Sequence, residues 1–215
     1  MKNPAKIPRG SIEAGATARA ALGFRAHSGW AALVAVAGTV RAPTVIERRR
    51  IELALPEIPR PVQPYHAAQN MDLKAAEKHV RRFTDEARLL AQRALGEVIT
   101  DISGAGYQLV GCGIPLGSGR AAATLEATLA SHPLLHTAEG ELFRGAIIRA
   151  SEHFHLPITG VRERDLMARG AAELAIPLTE LQLRLTELGR AVGPQWARDQ
   201  KLATLVAWLA LAADE

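Results

Sequence analysis

A chain of 215 residues is long enough for one large domain with a substantial core, or for two small ones. Hydrophobic residues at 48% and charged residues at 22% exclude a disordered chain, and no apolar run approaches the roughly 18 residues that cross a bilayer. The formal charge of +4 permits nucleic acid or another phosphate-bearing partner without requiring one, and aromatics at 4%, not interleaved with bases, argue against a stacking platform for single strands.

Residues 1–15 carry two prolines and two glycines without periodicity, and are expected to be a flexible arm ahead of a single domain over residues 16–215. No apolar stretch follows their bases, so a secretory signal is not expected. The lone cysteine, Cys112, excludes an intramolecular disulfide and fits a reducing compartment, so the expected location is cytoplasmic.

Residues 18–26 read as a strand, His27-Ser28-Gly29 as a turn, and residues 30–38 (WAALVAVAG) as a second strand, apolar enough to be buried on both faces. A third strand spans residues 44–55; its alternation breaks around Arg48, Arg49 and Arg50, as at a bulge or an edge. Connections this short favour an antiparallel meander. Residues 56–71 hold four prolines and are expected to form an irregular linker. Asp72 then suits an N-cap, and Leu73, Ala76, Val80, Phe83, Ala87, Leu90, Ala94 and Val98 make one apolar stripe along a helix. Lys74, Lys78, Arg81, Arg82, Arg88 and Arg93 occupy much of the remainder and read as its solvated face.

Residues 107–114 (YQLVGCGI) resemble a central parallel strand. Residues 115–120 (PLGSGR) form a glycine-rich loop, and a helix is expected to open near Ala121. A helix over residues 136–154, a buried strand over 156–161, and helices from Arg162, over 178–188 and over 195–213 complete the chain. With right-handed crossovers, this order predicts an α/β three-layer fold. Its mixed five-stranded sheet has the order 3-2-1-4-5, with helices on both faces.

The segments LGFRAHSGWAALVAV, HTAEGELFRGAIIRASEHFHLPITGVRERDL and WARDQKLATLVAWLALAA, in this order, resemble the ribonuclease H-like superfamily. Within it, the layout is similar to the bacterial Holliday-junction resolvases. The resemblance spans residues 18–213 and implies the fold. Enzymes of this superfamily hold two divalent metals with an aspartate on the first strand, an acid at the end of the fourth, and acids on the last helix. At those places the chain offers Arg25, then Gly111, Cys112 and Gly113, and then Asp199. Two Mg²⁺ ions need several hard oxygen ligands, so the inherited nuclease chemistry is expected to be missing.

In open α/β sheets, ligands gather outside the carboxyl ends of the parallel strands. His27 and Ser28 follow the first strand; Gly117, Ser118, Gly119 and Arg120 follow the fourth; Arg162, Glu163, Arg164 and Asp165 follow the fifth. These segments, the start of the His136 helix and Asp199 are expected to converge there. Free N–H groups at a strand-to-helix loop favour an anion, to which Ser118 and Arg120 can add charge-assisted bonds. The simpler role of that loop is a tight turn. Arg162 to Asp165 reads equally as a ligand clamp or as a solvated ion-pair network.

His132, His136, Glu139 and Glu141 form the densest set of ligand-type residues. Pro133 is expected to keep His132 off the His136 helix, Thr137 to cap that helix, and the two glutamates to suit its first turn. The functional alternative is a metal or acid/base site of His136 with Glu139 or Glu141. His27 can act as a lone acid/base, while His153, His155 and Cys112 read as structural.

Three functions are compatible with these residues. The first is a ribonuclease H-like protein without the two-metal site that binds a phosphate-bearing ligand or nucleic acid at the sheet edge. The second is a hydrolase whose catalytic residues are His136, Glu139 and Glu141, with Arg120 or Arg164 as electrophilic partner. The third is a homodimer paired through Trp196, Leu205, Trp208 and Leu209. No cofactor is identified and no metal set is assigned.

Overall fold

The computed structural model describes residues 7–8, 18–55, 63–120 and 122–214. Of the expected N-terminal arm only residues 7 and 8 are described, and Ile7 packs against the main core. The first part of the proline-rich stretch, residues 56–62, and Ala121 lie outside the described residues.

Three strands, β1 (Ala18–His27), β2 (Trp30–Gly38) and β3 (Pro43–Glu52), form the antiparallel meander. Gly29, at φ +83°, takes the turn position that a side chain would strain. Then β4 (Tyr107–Leu116) pairs parallel to β1, and β5 (Ile158–Arg162) parallel to β4, so the sheet order is 3-2-1-4-5. One of the two edge strands is β3, as its broken pattern suggested. Its bulge falls at Ile46, between the pairs Ala35–Glu47 and Val36–Val45, before the arginine run rather than within it.

One face of the sheet is covered by α2 (Leu73–Gly104) and α4 (His132–His153), which enclose the main core with Leu22, Phe24, Leu33 and Ile114. Asp72 caps α2, accepting the Ala75 N–H at 3.0 Å. The buried stripe of α2 runs Ala76, Val80, Phe83, Ala87, Ala91, Leu95, Val98 and Ile102. It shifts from the expected Leu90 and Ala94 to the next residue along, because 32 residues at 3.6 per turn outrun a 3.5-residue spacing. All six bases expected on the solvated face are exposed.

Two short helices lie beside this layer: α1 (Pro64–Ala68) and α3 (Leu125–Leu129), capped by Thr124 rather than opening at Ala121. The proline-rich stretch is therefore not irregular throughout. Pro64 stands in the first turn of α1, and Pro133 likewise in the first turn of α4, where a missing N–H removes no helix bond. Hence α4 begins four residues earlier than expected and carries both His132 and His136. Thr137 does not cap it; its hydroxyl donates to the Pro133 carbonyl at 3.0 Å.

The other face is covered by α7 (Arg198–Ala212), behind which lie α5 (Leu166–Glu173) and α6 (Leu178–Leu188). Because α7 is apolar on nearly every side, it is buried on nearly every side. Trp208 is fully buried, with its indole N–H donating to the Val40 carbonyl at 2.9 Å; Leu205 and Leu209 are buried with it. Trp196 donates to the Leu185 carbonyl at 2.7 Å. The surface expected to pair two copies is thus occupied within one chain. No helix of the described residues is long and apolar enough to cross a membrane.

Candidate functional site

Glycines set the position of the site. A Cβ on Gly23 of β1 would collide with the Ala203 carbonyl, and one on Gly113 of β4 with the Val206 carbonyl, so α7 lies directly on these two strands. That approach brings the first turn of α7 to the carboxyl ends of β1 and β5. Arg25 and His27, two residues apart on β1, share the α7 side of the pleat with Gly23.

There, Arg25 Nη2 lies 2.9 Å from Glu163 Oε2, in the 3₁₀ turn Glu163–Asp165 that follows β5. The other Arg25 terminal nitrogen donates to the Ala26 carbonyl at 2.6 Å. Arg198 Nη2, from α7, reaches Glu163 Oε1 at 3.1 Å. His27 Nε2 lies 3.0 Å from Asp199 Oδ1, close in distance but without hydrogen-bond alignment. Its ring stacks on Trp30 at 4.4 Å, and the Arg50 guanidinium sits 4.0 Å from the Trp30 ring centre. Glu163 and Asp199 are thus each held by a cationic or basic partner.

Beside this cluster, Gly117, Ser118, Gly119, Arg120, Arg162 and Arg164 line an open depression of about 330 Å³. Arg164 lies 3.5 Å from its neighbour Asp165, both exposed, a pairing of little strength in water. Arg120 and Arg162 are exposed and have no acidic partner among the described residues. The GSGR loop rests on α4: Gly119 faces Thr137, and Gly117 faces Glu141 and Arg144. A side chain on Gly119 would collide with Thr137, whereas one on Gly117 would displace only the ends of the Arg144 and Glu141 side chains. Ser28 is exposed at its turn, with no side-chain hydrogen bond to a described residue.

The two glutamates of the expected acid/base trio take different partners. Glu141 pairs with Arg144 at 2.7 Å. Glu139, buried, turns instead to α1: its Oε1 accepts the backbone N–H of Tyr65 at 2.9 Å and of His66 at 3.1 Å, and lies 3.2 Å from His66 Nδ1. Burial pushes the Glu139 carboxyl up, against the downward pull of these donors. The ring centres of His66, His132 and His136 lie 4.5–5.7 Å apart. His66 escaped the sequence reading because its segment looked irregular; His132 was counted in the densest ligand set but was set apart from the His136 helix because Pro133 was taken as a break. Pro64 preceding a short run of helix-compatible residues was the available signal.

Mixed sheet order, the meander followed by crossovers, and an apolar final helix laid on the first strand define a ribonuclease H-like fold. Two solved structures share it. T. thermophilus RuvC in complex with a Holliday junction substrate aligns over 91% of this chain and 94% of its own, at 13% identity and a TM-score of 0.50. A second Thermus thermophilus RuvC structure aligns over 91% and 95%, at 11% identity and a TM-score of 0.52. The sequence matches no protein-family model and no curated protein.

Proposed function

We propose that the chain binds a nucleic-acid backbone at the carboxyl edge of its sheet without cutting it by two-metal chemistry. The observation that carries this reading is Arg25, an arginine on the first strand, ion-paired to Glu163 and surrounded by Arg198, His27 and Asp199. A pair of divalent ions needs several free carboxylate oxygens within a few ångströms. Glu163 and Asp199 do not fit that demand: each already meets a basic side chain, and Arg25 adds positive charge where the ions would sit.

The adjoining depression supports phosphate as the ligand. Arg120, Arg162 and Arg164 face it with little opposing acid, and the Gly117–Ser118–Gly119 backbone leaves room for close approach. The structurally similar RuvC was solved with a Holliday junction, which makes a four-way junction the first probe.

Fluorescence anisotropy with a four-way junction, a duplex and a single strand, each at several salt concentrations, tests the reading. Three arginine–phosphate contacts predict a log–log salt slope near −2.7, or roughly a forty-fold loss between 50 and 200 mM salt. Each Arg→Ala change at 120, 162 or 164 should flatten that slope by about one. Salt-independent binding, no binding to any of the three, or Mg²⁺-dependent cleavage of the junction would refute it.

A further inference from the structure

Three histidines from two helices meet beside the loop-bearing end of α4, in a place the phosphate reading does not use. His132 and His136 are four residues apart on α4, so one face presents both. His66 reaches them from α1. One ring nitrogen from each of the three lies within 4.8 Å of the others. Among the described residues neither the His132 nor the His136 ring has a hydrogen-bond or ion-pair partner, and both residues are exposed, so a solute can reach them.

A second observation separates this cluster from accidental crowding. Glu139, 2% exposed, places Oε1 3.2 Å from His66 Nδ1 and holds the two neighbouring backbone N–H groups. A carboxylate that accepts a hydrogen bond from Nδ1–H fixes the tautomer and leaves the Nε2 lone pair free. Histidine metal ligands characteristically have such a partner. Its other oxygen, Oε2, is buried with no hydrogen-bond partner.

We propose that His66, His132 and His136 bind one transition-metal ion, with Glu139 orienting His66. Imidazole donors without thiolates or exposed carboxylates suit Zn²⁺ and its neighbours rather than Mg²⁺ or Ca²⁺. Tetrahedral Zn–N bonds of about 2.0–2.1 Å set the nitrogens about 3.4 Å apart. Nitrogens that lie within 4.8 Å of one another would have to close in by up to about 1.4 Å, a movement within reach of exposed side-chain torsions. Three protein ligands leave the fourth position to water or a small anion, the pattern of an open rather than a purely structural site. The ion also ties α1 to α4.

The test is calorimetric titration of tag-free, chelator-stripped protein with ZnCl₂, read beside the visible absorption of Co²⁺. One equivalent should bind and raise the unfolding midpoint. His132→Ala and His136→Ala, both exposed helix positions that tolerate alanine, should each weaken Zn²⁺ binding at least tenfold and abolish the midpoint shift. His153→Ala should leave both unchanged. Absence of saturable one-to-one binding overturns the site, as does less than a tenfold loss in either α4 variant. No nucleic acid enters the measurement, so its outcome is independent of the phosphate reading.

Discussion

Cys112 stands between Gly111, which faces Pro157, and Gly113, which lies against α7, and its own side chain turns into the main core. Burial pushes its thiol up to about 12, against a hydrogen bond from Ser151 that acts downward. The thiolate is the reactive form, so the native residue should resist alkylation at pH 8 and react fully in denaturant. The sign of the linkage follows. An unfolded thiol ionises near about 8.5, so from there to about 12 the unfolded chain holds fewer protons than the folded one. Stability is therefore lost as pH rises across that window, by at most about 1.4 kcal/mol per unit for one proton. Urea midpoints should fall more steeply from pH 8 to 10 in the parent than in Cys112→Ala; equal slopes would mean the thiol is not held protonated. At this scale the sequence was legible where a residue acts through its own strand. Arg25 and Cys112 needed only a pleat and a register. Glu139 needed α1 to be recognised as a helix, about 70 residues away in the chain, and nothing local to its own sequence indicated it.

Among the elements, α7 does most to position the sheet-edge cluster, and it depends on the absence of two methyl groups. Gly23 and Gly113 lie under the Ala203 and Val206 carbonyls. Gly23→Ala must either push α7 outward or distort β1, since the colliding atom is backbone and cannot rotate away. The expected cost is about 1–3 kcal/mol, the range for overpacked cores, and the same displacement should pull Asp199 away from His27 and Arg198 away from Glu163. Chemical denaturation gives the first quantity. Undiminished stability would show that α7 is not in close contact with β1. Glycine within an apolar strand hinted at a close backbone approach, but the partner was hidden because an all-apolar helix has no preferred face to read. Helix α1 and the first turn of α4 were missed for a different reason. Proline was weighted as a breaker, whereas in a first turn it is permitted, and that difference hid His66 and kept His132 apart from His136.

For the whole molecule, topology follows from connection lengths. Two short turns can only fold back, and two long helical returns can only cross over, so the order 3-2-1-4-5 was legible in the chain itself. What a shared topology does not carry is chemistry. The resemblance implied acids for metal at this sheet edge, and the edge gathers Arg25, Arg198 and His27 with two acids. This distinction is testable by restoring an acid. Arg25→Asp removes the main partner of Glu163 and sets a third carboxylate beside Glu163 and Asp199, so the variant should lose stability in chelator through repulsion among like charges. An ion that binds only the folded form stabilises it by mass action, so millimolar Mg²⁺ should restore the variant's melting temperature by several degrees, at about 2–4 °C per kcal/mol for a domain of this size. The parent should not respond, because its Arg25 guanidinium already neutralises Glu163. A parent midpoint that rises with Mg²⁺ as much as the variant's would mean that the ion-paired acids still serve as a metal site, and that the arginine does not govern this edge.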